Sequence, residues 1–175
     1  VIQSDQGVEV IHLPIVLKQL DEKFFLNGHI AKVNTAWKIV QNGSDVVVIF
    51  NGPNCYISPN HYPTKAEHGK AVPTWNYVVV HSKGVVSFIH EPDWIYAHIG
   101  DLTDQHESES ANPWTITDAP QEYIRKLLPA IVGIEIEVSS IVGQWKLSQN
   151  QPQINQQGVI QGLSSLNDPA SKEVA

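Results

Sequence analysis

Apolar residues at every second position recur along this chain and restrict it to a fold built mainly from strands. In residues 8–17 (VEVIHLPIVL), Ile11, Leu13, Ile15 and Leu17 share one face, the mark of a half-buried strand. Pro14 has no N–H to give a ladder, so this strand is expected at an edge or with a bulge. Asp21-Glu22 reads as a turn, and FFLNGHIA (24–31) pairs back as the second arm of a hairpin. Residues 46–50 (VVVIF) form a continuous apolar run, as in a strand covered on both faces. A further strand region runs from Trp75 to Ile89, with Gly84 a bulge or bend. In 133–145, Ile134, Ile136 and Val138 face inward while Glu135 and Glu137 face water.

Two stretches change to a helical period. Pro92 opens the first, whose stripe is Trp94, Ile95, His98, Ile99 and Leu102, with Asp101, Asp104 and Glu107 at its solvated end. Asp118 is placed to cap the second, with Pro120 in its first turn and Gln121 completing a capping box. Its inner face would be Tyr123, Ile124, Leu127, Leu128 and Ile131, and Pro129 should end it. About five or six strands, mostly paired with sequence neighbours, give a mainly β fold with flanking α, in the form of a small closed or split barrel. Closure or dimerisation would remove its exposed edges. Residues 1–150 are expected as one such domain, and the polar segment 151–175 as a weak helix followed by a disordered tail.

Composition narrows the class. A chain of 175 residues with 42% hydrophobic and 17% charged residues can bury a core of its own. No apolar run approaches the ~18 residues of a membrane span, and no charged-then-apolar leader opens the chain, so a cytoplasmic protein is expected. Cys55 is the only cysteine; it reads as a structural thiol, and a single cysteine excludes an intrachain disulfide and a Cys-built metal site. The formal charge is −7, and Arg125 is the only arginine. Arginine is the usual bidentate reader of guanine, so one chain is poorly equipped for extensive DNA contact. The chain starts at Val1 and contains no methionine, from which a further native N-terminal stretch is expected.

The segment that carries chemistry is GPNCYISPNHYPTKAEHGKAVPTWNY, Gly52 to Tyr77. It is non-periodic, lies between two strong strands and is braced by Pro53, Pro59, Pro63 and Pro73, as a functional loop would be. Its polar side chains include a set of hydroxyl, amide and ammonium donors: Ser58, Asn60, Thr64, Lys65, Lys70, Thr74 and Asn76. Donors around the aromatic floor of Tyr56, Tyr62, Trp75 and Tyr77 suit an anionic ligand with a flat ring. The bland alternative is an ordered surface loop whose polar groups cap its own turns. HIAKVN (29–34) and KLSQN (146–150) are two further donor-bearing strand ends.

The block YISPNHYPTKAEHGKAVPTWNY, preceded by HIAKVNTAW and followed by LTDQHE and KLSQN, resembles the PaiB family of FMN-binding negative transcriptional regulators. The resemblance runs from about Leu13 to Leu163. It implies an FMN-binding split β-barrel that pairs as a homodimer. It also implies phosphate and ribityl contacts from His29, Lys32, Asn34, Ser58, Tyr62, Lys65, Thr74 and Asn76, with Trp75 near the ring. Lys146, Ser148 and Gln149 would reach the flavin from the partner chain. Family members carry a longer N-terminal stretch than this chain.

Other constellations are weaker. The eight histidines include His61 and His68 in the proline-rich loop, which would allow haem as a distant alternative to FMN, but no spacing matches a metal motif. No GxSxG, GxxxxGK[ST] or GxGxxG occurs, no catalytic residue is assigned, and no helix-turn-helix stands out. The leading expectation is a PaiB-type negative transcriptional regulator whose effect is carried by flavin state, a partner protein or removal of a small molecule, with DNA or a partner protein as its partner beyond the homodimer. The alternative is a flavin reductase or other FMN-dependent oxidoreductase acting on a small molecule.

Overall fold

The structure, a computed structural model, describes residues Val1–Ala175. Seven strands form one sheet in the order β2-β1-β5-β6-β7-β4-β3. They are β1 (Ile2–Ser4), β2 (Gly7–Glu9), β3 (Val16–Leu20), β4 (Lys23–Ala31), β5 (Asp45–Ile57), β6 (Thr74–Ile89) and β7 (Ile131–Lys146). Helices α1 (Ala36–Ile39), α2 (Lys65–His68), α3 (Pro92–Glu107), α4 (Gln121–Leu127), α5 (Gln153–Ser164) and α6 (Pro169–Val174) flank it. The mainly β class with flanking α is therefore the one expected. No helix is long and apolar enough to cross a membrane.

The chain divides into two compact units: Val1–Val48 with Ser82–Ser140, and Ile49–His81 with Ile141–Ala175. In the first unit the β3–β4 hairpin closes at Asp21, whose φ of 52° is the left-handed turn conformation. β4 pairs antiparallel with β7 from Phe25↔Glu137 to Ala31↔Ile131. Leu26, Ile30, Val86, Phe88, Val132, Ile134 and Ile136 are buried together, which is the alternation read for β7. Helix α3 starts at Pro92, and Ile95 and His98 of its stripe are buried.

Several expectations change. Residues 8–17 do not form one strand: Ile11, Leu13 and Ile15 touch the core from an irregular segment. β3 begins after Pro14, and in it Val16 is buried and Leu17 is exposed. Pro14 breaks the ladder, and the strand restarts one residue out of phase. Ile49 and Phe50 are exposed, so the VVVIF run is not covered on both faces. Gly84 serves close approach, since a Cβ there would sit 2.3 Å from the Glu137 carbonyl oxygen. Asp118 caps a 3-10 turn at Ile116–Asp118 with Thr115, so Pro120, not Asp118, precedes α4. Tyr123 and Leu127 of α4 are exposed, and only Leu128, in the turn that ends it, is buried.

The second unit has its own core of Cys55, Ile57, Tyr62, Val159 and Leu163. The segment expected as a weak helix followed by a disordered tail supplies Val159 and Leu163, which with Asn155 form a stripe at every fourth residue of α5. Asp168 caps α6, its carboxylate accepting from the Ser171 N–H (2.9 Å) and Oγ (2.7 Å).

Candidate functional site

The proline-braced segment is shorter in space than in sequence. β5 continues through Gly52 and Pro53 to Ile57, and β6 resumes at Thr74, so the loop proper is Ser58–Pro73. Pro59 opens a 3-10 turn, Pro59–His61, and the Ser58 hydroxyl caps it: Oγ accepts from the Asn60 N–H at 3.2 Å. Gly69, at φ 66°, ends α2 in the left-handed conformation that a side chain would resist. Between the two turns the Tyr62 ring enters the core beside Ile57 and Leu163, and this burial holds the loop down by roughly 2 kcal/mol.

Beside Tyr62 a cleft of about 280 Å³ opens. The loop contributes Thr64, Lys70, Ala71 and Val72, and β6 contributes Thr74 and Asn76. Lys146, at the end of β7, faces them with Ser148, Asn150 and Gln151 from the following turn and Asn155 from α5. Two ammonium groups and a ring of hydroxyls and amides thus line a cleft with no Asp, Glu, His or Cys, in a chain of formal charge −7.

The polar groups hold one another in place. Lys146 Nζ donates to Thr74 Oγ1 (2.6 Å) and to the Trp75 carbonyl (2.9 Å), and lies 5.8 Å from the centre of the Tyr77 ring. An ammonium has three hydrogens, so one remains for a ligand. Thr74 Oγ1 accepts from Lys146, which leaves its own hydrogen free to donate. Ser148 Oγ donates to Asn76 Oδ1 at 3.0 Å, and both residues are buried. Ser148 has φ 61°, a left-handed backbone that costs a side-chain-bearing residue on the order of 1 kcal/mol and is offset here by that bond. The arrangement suits an anion: two ammonium groups and hydroxyl and amide donors face it with no carboxylate opposite.

The expected site residues divide three ways. Tyr62, Thr74, Asn76, Lys146 and Ser148 meet in this cleft. Lys146 and Ser148 were expected to serve a partner's site; here they bond to Thr74 and Asn76 of their own chain. Ser58, Lys65, Trp75 and Gln149 belong to the same unit but do not line the cleft. Ser58 caps its turn, and Lys65 Nζ is held by Asn60 Oδ1 at 2.5 Å. Gln149 closes its own turn through the Leu147 N–H and the Trp145 carbonyl. Trp75 is exposed, meets Tyr56 edge-on, and lines a separate groove with Asn51, Asn54 and Tyr77. Of the two loop histidines, His68 Nδ1 accepts from the Lys70 N–H, and His61 packs on α5.

His29, Lys32 and Asn34 lie in the other unit. Asn34 Oδ1 accepts from the Ala36 N–H at 2.9 Å and so starts α1, while Lys32 is exposed. His29 Nδ1 stands 3.1 Å from Nε2 of His98, which is stacked on Trp94. Burial, and then the neighbouring His29, push the His98 pKa down to about 4; burial also lowers that of His29. Burial raises the Cys55 thiol, with the Asp168 carboxylate adding to it, as suits an inert structural cysteine.

Sequence reading missed Gln151 and Asn155 in the cleft lining, and left Thr64, Lys70 and Asn150 among general donors. The available signal was the spacing of Asn155, Val159 and Leu163, diluted by the glutamines around them.

These features define a mainly β protein with a cationic, amide-rich cleft at the ends of its central strands. Residues 1–140 match the family described as "Putative FMN-binding domain", and the chain belongs to that family. It is 31% identical over 176 residues to "Protease synthase and sporulation protein PAI 2" of Bacillus subtilis, covering 100% of this chain and 82% of that protein. It is 30% identical over 200 residues to an uncharacterised protein of Emericella nidulans, covering 96% and 80%. The kinship with PaiB expected from the loop block therefore holds. Among solved structures, that of a "putative 5-nitroimidazole antibiotic resistance protein" from Bacteroides thetaiotaomicron aligns over 81% of this chain and 72% of that chain, at 12% identity and a TM-score of 0.46.

Proposed function

We propose that this is a cytoplasmic, homodimeric PaiB-type flavoprotein that binds FMN in the cleft beside Tyr62 and acts as a negative transcriptional regulator. The observation that carries the cofactor reading is the lining: Lys70 and Lys146 with no opposing carboxylate, inside a family described as FMN-binding. Lysine gives a phosphate a point charge, and the hydrogens that Lys146 and Thr74 have left are available to one oxygen shell. A cleft of about 280 Å³ is at the small end of ligand pockets, which fits the phosphate and ribityl chain with the ring system outside it. When bound, FMN supplies hydride and one-electron chemistry, while Lys70, Lys146, Thr74 and Asn76 hold and orient it.

Regulation is the finer half of the proposal. Support comes from the 31% identity to a protein named for protease synthesis and sporulation. A chain of charge −7 with one arginine has little to offer DNA by itself, so a partner protein or the flavin state carries the effect. The test begins with fluorescence titration of FMN and riboflavin. FMN binding tighter by about tenfold or more, lost as salt rises, is expected of a phosphate held by lysines. Equal affinity for the two flavins would remove the phosphate from the cleft. Promoter gel shifts with and without FMN test the regulatory half, and steady NAD(P)H consumption would move the assignment to an oxidoreductase.

A further inference from the structure

The family match ends at residue 140, yet one wall of the cleft lies beyond it. Helix α5 touches the loop at three successive turns. Asn155 Oδ1 accepts from Thr64 Oγ1 (3.0 Å) and from the Thr64 N–H (3.4 Å), while its Nδ2 donates to Gln151 Oε1 (3.3 Å). One turn on, a Cβ at Gly158 would lie 2.2 Å from the His61 carbonyl oxygen and 2.7 Å from Pro63 Cδ. A further turn on, a Cβ at Gly162 would lie 2.5 Å from the His61 ring. The helix is thus flush against the loop, and Asn155, only 4% exposed, is its one polar hold on Thr64.

We propose that Asn155 is a positioning residue of the flavin cleft: it fixes the loop through Thr64 and commits the Thr64 hydroxyl to accept from a ribityl hydroxyl. This rests on the FMN reading above. A hydroxyl has one hydrogen, and that of Thr64 is given to Asn155; its remaining capacity is to accept. Thr74 is in the opposite state, accepting from Lys146 and free to donate. The two threonines therefore divide the cleft into a ribityl side at Thr64 and a phosphate side at Thr74 and Lys146. α5 belongs to the ligand site and is not an appendage to it.

The test uses the full chain with Asn155→Leu and Asn155→Asp, FMN and riboflavin as probes, and limited trypsin cleavage after Lys65 and Lys70. Asn155→Leu is expected to weaken FMN and riboflavin by the same factor, about tenfold, and to speed cleavage at both lysines. Asn155→Asp keeps an acceptor for Thr64, so trypsin resistance is retained; its charge should weaken FMN more than riboflavin. If Asn155→Leu matches the natural chain in affinity and cleavage, the proposal fails. Should that variant not fold by circular dichroism, Asn155→Asp decides: FMN and riboflavin affected equally, or not at all, overturns it. If the natural chain binds neither flavin, the FMN reading falls separately, and unchanged cleavage in Asn155→Leu removes the positioning role too.

Discussion

What a lysine contributes to a site depends on where its hydrogens already go. Lys65 and Lys146 are alike in sequence, but Lys65 is exposed and tied to Asn60, while Lys146 is anchored to Thr74 and Trp75 with one hydrogen left over the cleft. Lys146→Met should therefore lower FMN affinity by about tenfold or more, as loss of a charged hydrogen bond does, whereas Lys65→Ala should leave it within about twofold. Fluorescence titration of both variants checks the pair, and the reverse ranking would move the phosphate to the loop. His98 makes a different residue-scale prediction. Its folded pKa of about 4 lies below the roughly 6.5 of an unfolded histidine, so the unfolded chain binds the extra proton first. The stability this contributes is complete above about pH 6.5 and is lost as pH falls towards 4, up to about 3 kcal/mol, with His29 acting in the same direction. The Asp101 carboxylate one turn away, itself paired with Lys18 at 2.6 Å, opposes the shift only in part. Urea midpoints between pH 7.5 and 4.5 should fall steeply for the natural chain and less for His98→Phe, which keeps the stack on Trp94.

At the scale of elements, α5 is where packing and the proposed site meet. Gly158→Ala would gain about 1 kcal/mol of helix propensity, but its Cβ would meet the backbone oxygen of His61, which cannot swing aside as a side chain can. A net loss of about 1–2 kcal/mol, with faster trypsin cleavage at Lys65, is expected from thermal melts and proteolysis. This helix was also the least legible element. Its apolar stripe is only Val159 and Leu163, set among Gln153, Gln156, Gln157 and Gln161, so the period that reveals a core helix is faint. The β3–β4 hairpin and β7 were legible, because Asp21 marks a turn and Ile134 and Ile136 alternate with glutamates. β5 was cut short in sequence, since Gly52 and Pro53 ordinarily end a strand; here Gly52 lets Val78 approach to 3.0 Å of where its Cβ would be. The loop was found by its prolines and donors. Which donors face the cleft was not legible, because Lys65 and Lys70 differ in orientation and not in kind.

For the whole molecule, the exposed side chains of one unit bear on assembly. Ile49, Phe50 and Tyr56 of β5, Trp75 of β6, and Ile141, Val142 and Trp145 of β7 are all exposed, apolar area that an association would cover. A second copy of the chain is the occupant the homodimer proposal assigns to them. Each copy carries a charge of −7, so long-range repulsion opposes pairing and apolar burial must outweigh it. Sedimentation should then give twice the 19.4 kDa chain mass, with pairing strengthened by salt as the repulsion is screened. Ile141→Asp places a charge among these side chains and should return the protein to one chain mass without unfolding it. That monomer also asks who owns the cleft. Lys146 and Ser148 bond to Thr74 and Asn76 of the same chain, so the monomer should keep the phosphate-dependent part of FMN affinity and lose only what a partner adds to the ring. If Ile141→Asp abolishes the preference for FMN over riboflavin together with the dimer, the phosphate is held across the pair, and the single-chain cleft described above is not its seat.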